Sequence, residues 1–319
     1  MLGWSFENPI DLWSYFKVPA IIVNPTSMIK KAALSQEIRR KGGLHEFLGY
    51  DGKIYLDSGG FQILKNNVHI TLEQLLQIYE ITRADYFFSL DIPISPEDDI
   101  DTRQRKMEKT IKNYAELRKK YENIIPVVHP PLESALEMCQ IYLNELDCDK
   151  LLSIGGLVPF IMGNKKKNIV ELIYNVKKMY SGPIHVLGLG APTIIPTLKI
   201  LNIDSSDSAS WRIKAGYGKI MLHNGGERHV TQRRAEFGGR KISKEEIETI
   251  FSLNCPIIEQ FGWEKIESSF TVRALFNAWI SLFSSKNHFH PKGSFTGMYD
   301  YASMLIEKEG IDSFEDLKE

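Results

Sequence analysis

The stretch KIYLDSGGFQIL, Lys53 to Leu64, is an apolar run that ends in an acid, two glycines and an aromatic ring. A short run closed by glycine reads as a buried strand and the turn after it. That turn has two readings. Asp57 can satisfy backbone donors in a glycine bend. Alternatively, bare backbone beside a carboxylate makes room for a flat ligand.

Comparable apolar runs recur at PAIIVN (19–24), DYFFSLD (85–91), NIIPVVH (123–129), KLLSIGG (150–156), PIHVLGLG (183–190), LNIDSSD (201–207) and GKIMLHN (218–224). Between most of them lie segments with helical spacing, such as TLEQLLQIYEITRA (71–84). Near-continuous apolar strands alternating with helices imply a parallel sheet. Eight such units fit an α/β fold of the (β/α)8 TIM-barrel type; a doubly wound sheet is the alternative. The pattern turns helical near residue 240. The expected organisation is therefore a barrel catalytic domain over residues 1–240 and a helical extension over 241–319 packed on it.

The bulk numbers narrow the class. With 319 residues and 43% hydrophobic content, the chain can bury a substantial core. Its net charge of -1 offers no bulk attraction for a polyanion, so nucleic-acid contacts would need local clusters. Cys139, Cys148 and Cys255 cannot all pair and form no CxxC, which argues against a disulfide scaffold. The start, MLGWSFENPIDLW, lacks the basic-then-apolar order of a signal peptide. No apolar run reaches membrane-spanning length, so no membrane partner is expected and the expected location is cytoplasmic.

In such a barrel, chemistry gathers at the C-terminal ends of the strands. Those ends carry Asp57-Ser58-Gly59-Gly60-Phe61-Gln62, Asp91, His129, Gly155-Gly156-Leu157, Leu187-Gly188 and Asp204-Ser205-Ser206-Asp207. His129 taken alone reads more often as a hydrogen-bonded structural residue. Acids grouped at one mouth suit substitution at a glycosidic carbon. One carboxylate attacks and forms a covalent glycosyl intermediate, while another carboxyl group handles protons. Bare glycine backbone lets a planar base lie against peptide groups, and an acid accepts from the base edge.

The motifs LDSGGFQ (56–62), SLDIP (89–93), IGGLV (154–158), HVLGLGAP (185–192) and NIDSSDS (202–208) together resemble the tRNA-guanine transglycosylase (queuine tRNA-ribosyltransferase) superfamily. Members are (β/α)8 barrels that exchange guanine in nucleic acid for a 7-deazaguanine base. The resemblance makes Asp207 the nucleophile, with Asp204 as its rival three residues earlier, and Asp57 the general acid/base. It places Ser58, Gly59, Phe61, Gln62, Asp91, His129, Gly155, Gly156, Leu157, Leu187 and Gly188 around the base. Phe61 and Leu187 would sandwich it, Asp91 would read its guanine edge, and His129 stands where tRNA enzymes carry Gln.

The family's tRNA enzymes hold zinc with Cys-x-Cys-x2-Cys and a later His. Here Leu253, Cys255 and Ile258 occupy those positions, so neither a metal nor another cofactor is expected. This loss makes the chain resemble the branch that places 7-deazaguanines such as preQ0 into DNA, in phages and bacterial modification clusters. The expected location thus becomes a bacterial or phage-infected cell. DNA is the expected polymer, with tRNA as the alternative, and a second copy or partner protein stays open. Trp211, Arg212, Lys214, Arg228, Arg233 and Arg234 follow the nucleophile and are the candidate nucleic-acid contacts. Trp211 could instead be a core or rim aromatic, and the cations could form a solvated surface. A catalytically silent nucleic-acid-binding paralogue is the competing functional class.

Overall fold

The computed structural model describes residues 1–60, 70–146, 150–162, 165–231, 240–293 and 295–308. It is a mixed α/β fold with parallel sheets. Five strands, β1 (Leu2–Trp4), β2 (Ala20–Val23), β3 (Lys53–Leu56), β4 (Tyr86–Phe88) and β5 (Ile124–Ile125), pair in chain order. A second ladder continues with β6 (Val127–Val128), β7 (Leu152–Ile154), β8 (Ile184–Val186) and β9 (Ser205–Ser206). Every neighbour in both ladders is parallel.

Pro126 alone separates β5 from β6. It has no N–H to offer the ladder, but its carbonyl still accepts from Ser153 N–H at 2.9 Å. Beyond β9, Leu2 bridges Ser208 in parallel, and Gly3 N–H donates to Ser208 O at 3.0 Å. β1 therefore meets the segment that follows β9.

Connecting helices follow the strands as the spacing predicts. The helix Leu72–Thr82 opens with a capping box, Thr71 with Gln74, and buries Leu75, Ile78 and Tyr79 on one stripe. The helix Ile100–Arg118 begins at Asp99, which accepts from Thr102 N–H at 2.7 Å.

One expected strand lies elsewhere. The run 218–224 does not join the parallel ladder. It forms β10 (Lys219–Met221), which pairs antiparallel with β11 (Glu227–His229). Gly225 (φ +99°) and Gly226 (φ +88°) permit the tight return, with Leu222 N–H donating to Gly226 O. The vacancy in the ladder is taken by β1, whose three residues carry too little local pattern to announce a strand.

The C-terminal helices are docked by buried polar groups. Asn277, on helix Phe270–Lys286, accepts from Met221 N–H at 2.8 Å and donates to Trp211 O and Lys219 O, each at 3.0 Å. Arg273 donates through Nε to Ala215 O at 2.9 Å. Buried donors and acceptors of this kind must be matched or they cost about 1–3 kcal/mol each. No helix among the described residues is long and apolar enough to cross a membrane.

Candidate active site

A cavity of about 480 Å³ opens at the C-terminal ends of the parallel strands. Asp57, Asp91 and Asp207 all line it, with Ser58, Gly156, Leu157, Leu187 and Gly188. The strand-end residues expected from sequence are thus largely gathered in one place. Phe61 and Gln62 lie outside the described residues. Gly59, Gly155 and His129 sit behind the wall rather than on it.

Asp57 leaves β3 with its backbone N–H on Val23 O at 2.9 Å. Asn24, at the end of β2, donates Nδ2 to Asp57 Oδ2 at 2.8 Å. Burial, then the charges of Asp91 and Asp207, push the Asp57 carboxyl up to about 7, against the hydrogen bonds from Asn24 and Gly59. Near neutral pH this group is divided between acid and carboxylate.

Asp207 goes the other way. Burial would raise it, but His185, the Gly188 N–H and the Met1 amino group more than offset that, and its carboxyl lies below the ordinary value. Gly188 N–H reaches Asp207 Oδ1 at 2.8 Å, and His185 Nε2 lies 3.2 Å from the same oxygen. Two carboxyl groups in one cavity are driven apart: one holds a proton near neutrality and the other stays ionised. Such a pair can divide acid and nucleophile roles.

Asp91 is braced from below. Ser58 Oγ–H donates to Asp91 Oδ1 at 2.5 Å and takes Gly60 N–H at 3.0 Å. His129 Nε2 lies 3.0 Å from Asp91 Oδ2, yet out of line for a hydrogen bond. The contact is one of proximity, and neither His129 nitrogen has a hydrogen-bond partner among the described residues. The glycines keep this floor clear. A Cβ on Gly60 would sit 2.5 Å from Asp91 Oδ1, and one on Gly156, at φ +69°, 2.8 Å from His129 Nδ1. Gly60→Ala should therefore displace Asp91 and cost about 1–3 kcal/mol. Urea unfolding of the variant checks this, and an unchanged midpoint would show the Asp91 carboxyl able to swing aside.

Asp204 lies at the other end of the strands. It accepts from Ile184 N–H, at the start of β8, at 2.8 Å, and pairs with Lys177 at 3.4 Å. Asp85 does the same at the start of the neighbouring ladder, accepting from Ile54 N–H and pairing with Lys53 and His45. Asp204 and Asp85 share a strand-staple role, whereas Asp207 reaches the cavity.

The sequence profile of the queuine tRNA-ribosyltransferase family matches residues 11–281. The chain belongs to that family. Among similar proteins are tRNA-guanine(15) transglycosylases of Methanosarcina mazei, 28% identical over 66% of this chain and 44% of that protein, and of Pyrococcus furiosus, 25% identical over 82% and 43%. Another is uncharacterized protein 306 of Sulfolobus islandicus rod-shaped virus 1, 30% identical over 83% of this chain and 79% of that protein. The chain spans less than half the length of the two archaeal relatives.

In this member of the transglycosylase family, the zinc positions do not fit a metal. Leu253 and Ile258 have no donor atoms, and Cys255 is buried with its thiol pushed up to about 11 by burial. His290 turns its Nδ1 to Pro291 O at 3.0 Å.

The candidate nucleic-acid contacts after Asp207 that are described are engaged within the fold. Trp211 is 1% exposed, with its indole N–H on Gly3 O at 3.2 Å, so the ring is core and cannot stack on a base. Arg212 lines the cavity, but its guanidinium caps the carbonyls of Glu7 and Asn8. Lys214 pairs with Glu227, and Arg228 with Glu246 at 2.7 Å. These cations are already partnered: β11 supplies Glu227 to Lys214, the helix Lys244–Phe251 supplies Glu246 to Arg228, and the N-terminal segment supplies carbonyls to Arg212. Arg233 and Arg234 lie outside the described residues.

Asn24 and His185 escaped the sequence reading. Asn24 had a signal, a polar residue ending an apolar run. His185 shares a strand face with Leu187, two residues on, which alternation makes visible.

Proposed function

We propose that this chain is a guanine transglycosylase that exchanges guanine in DNA for a 7-deazaguanine base of the preQ0 kind. Asp207 attacks C1′ of the target nucleotide as the C1′–N9 bond breaks. The electron pair leaves with the guanine, which takes a proton from the Asp57 carboxyl. The incoming base gives a proton back to Asp57 and displaces Asp207 from C1′. Asp91, oriented by Ser58, would receive the base edge, and Leu187 one face of the ring. The observation that carries this reading is the convergence of Asp57, Asp91 and Asp207 on a single cavity at the strand ends. A silent binding paralogue has no need of that arrangement.

The two ladders support a single closed (β/α)8 barrel over residues 1–240, since only Pro126 parts β5 from β6 and Leu2 bridges Ser208. The helices from Lys244 onward then form the extension. Asp207 is preferred to Asp204 because Asp204 is occupied by Ile184 N–H and Lys177.

For the polymer, the apolar residues at the zinc positions and His129 in place of Gln favour DNA. A guanine in duplex DNA would first leave the stack, at a cost of a few kcal/mol. The named archaeal relatives act on tRNA-guanine by their printed names, which is the observation behind the second reading, tRNA. The test is incorporation of labelled preQ0 into duplex DNA, single-stranded DNA and tRNA. Label in DNA supports the proposal; label only in tRNA overturns the polymer but keeps the chemistry.

A companion variant separates the two acids of the LNIDSSD segment. Asp204→Ala should lose about 1–2 kcal/mol of stability through the unpaired Ile184 N–H, while the folded fraction keeps its exchange rate. Paired urea melts and exchange assays measure both; a lost rate in folded protein would return the nucleophile role to Asp204.

A further inference from the structure

His185 is fully buried and engaged at both ring nitrogens. Nδ1 lies 2.9 Å from Ser205 Oγ, and Nε2 lies 3.2 Å from Asp207 Oδ1. The ring packs against that of Phe88, with centroids 5.2 Å apart. The ionised Asp207 can only accept, so Nε2 must carry the proton that faces it. Nδ1 is then an acceptor, and the Ser205 hydroxyl is its donor. One tautomer satisfies every group.

We propose that His185, held by Ser205, is the positioning residue of the nucleophile: it fastens Oδ1 of Asp207 and leaves Oδ2 as the oxygen that meets the sugar. This inference rests on the reading of Asp207 as the nucleophile. Two donors, His185 Nε2–H and Gly188 N–H, converge on Oδ1, and no described residue donates to Oδ2. A carboxylate gripped by one oxygen presents the other in a fixed direction, which removes rotational freedom before the reaction.

The same grip serves the second half of the exchange. In the glycosyl ester, Oδ2 is bonded to C1′ and Oδ1 is the carbonyl oxygen. When the incoming base bonds to C1′, the Oδ2–C1′ electron pair returns to the carboxylate. Negative charge then spreads onto Oδ1, where both donors already point. Preplaced donors at a developing anion act as an oxyanion hole does. Burial lowers the His185 imidazole, against the effect of Asp207.

The test compares His185→Leu, His185→Gln and Ser205→Ala with the wild type. Labelled guanine is exchanged against duplex DNA and tRNA, and the covalent protein–polynucleotide adduct is timed in a single turnover. His185→Leu should slow adduct formation about 100-fold with little change in polynucleotide Kd. His185→Gln, which can offer an amide N–H near the Nε2 position, should recover to within about tenfold of wild type, and Ser205→Ala should fall between. The acid limb of the rate profile should move to higher pH in His185→Leu. The other charged and titratable groups around Asp207 among the described residues, Asp57, Asp91, Arg212 and the Met1 amino group, are untouched by these changes.

Nitrogen NMR of the resting wild type should show a neutral Nε2–H ring. A His185→Leu rate within about threefold of wild type would overturn the proposal, as would an Nδ1–H tautomer. Exchange by the wild type with an indifferent His185→Leu defeats this inference alone. No exchange by the wild type in either polymer defeats the nucleophile reading and this inference with it.

Discussion

Asp207→Asn should abolish base exchange, with a loss of about 10⁴-fold or more, while the protein stays folded. The amide keeps an oxygen at the Oδ1 position, where Gly188 N–H and His185 donate, so the local hydrogen bonds survive. It removes the negative charge, and with it the ability to form the ester to C1′. Two readouts check this. The denaturation-resistant adduct between protein and polynucleotide should vanish, and the thermal midpoint should stay close to wild type. An Asn variant that still forms the adduct would end the case for Asp207. One that unfolds would show the charge to be structural.

Asp57→Asn should have effects of opposite sign on activity and on stability. Exchange should fall by about 10²–10⁴-fold, the usual contribution of a positioned acid or base. Stability at pH 8 should rise. The wild-type carboxyl titrates at about 7 in the folded protein, against an ordinary value of about 4 in the unfolded chain. The folded state therefore holds this proton more tightly. The stability conferred by the proton is complete below about pH 4 and is lost as pH rises through 7. Above that, the fold carries a buried charge beside Asp91 and Asp207. Replacing the group with a neutral amide removes that penalty. Part of the Asp57 carboxyl borders the open cavity, so the gain at pH 8 is set at about 2 kcal/mol rather than the full shift. Urea melts at pH 5 and pH 8 read it directly. The variant should gain at pH 8 and little at pH 5; equal effects at both would mean that Asp57 titrates near its ordinary value.

These opposing effects follow from how the site is assembled. Asp57, Asp91 and Asp207 crowd one cavity, a costly arrangement for folding. Asn24, Ser58, Gly188 and His185 each hold one of the acids in place. The glycines at 60 and 156 leave the volume that Asp91 and His129 occupy.

The sequence by itself determined the α/β class, the order of the strand-end acids and the family. An apolar run closed by a turn localises the residues that follow it, so Asp57, Asp91 and the Asp204–Asp207 segment could be assigned to one rim without coordinates, and the resemblance then singled out Asp207. Tertiary structure alone decided the rest. β1 enters the ladder through partners at Ile21 and Ser208, and the run at 218–224 leaves it for a hairpin with β11. Asp204 and Asp207 stand three residues apart in the same segment, yet β8 engages them at its two opposite ends. The partners of the cations after Asp207, namely Glu227, Glu246 and the Glu7 carbonyl, were fixed by the fold. His185 showed its role only through Ser205 and Asp207, about twenty residues further on. Local periodicity registers neighbours within about four residues, and every one of these outcomes depends on contacts made across the fold.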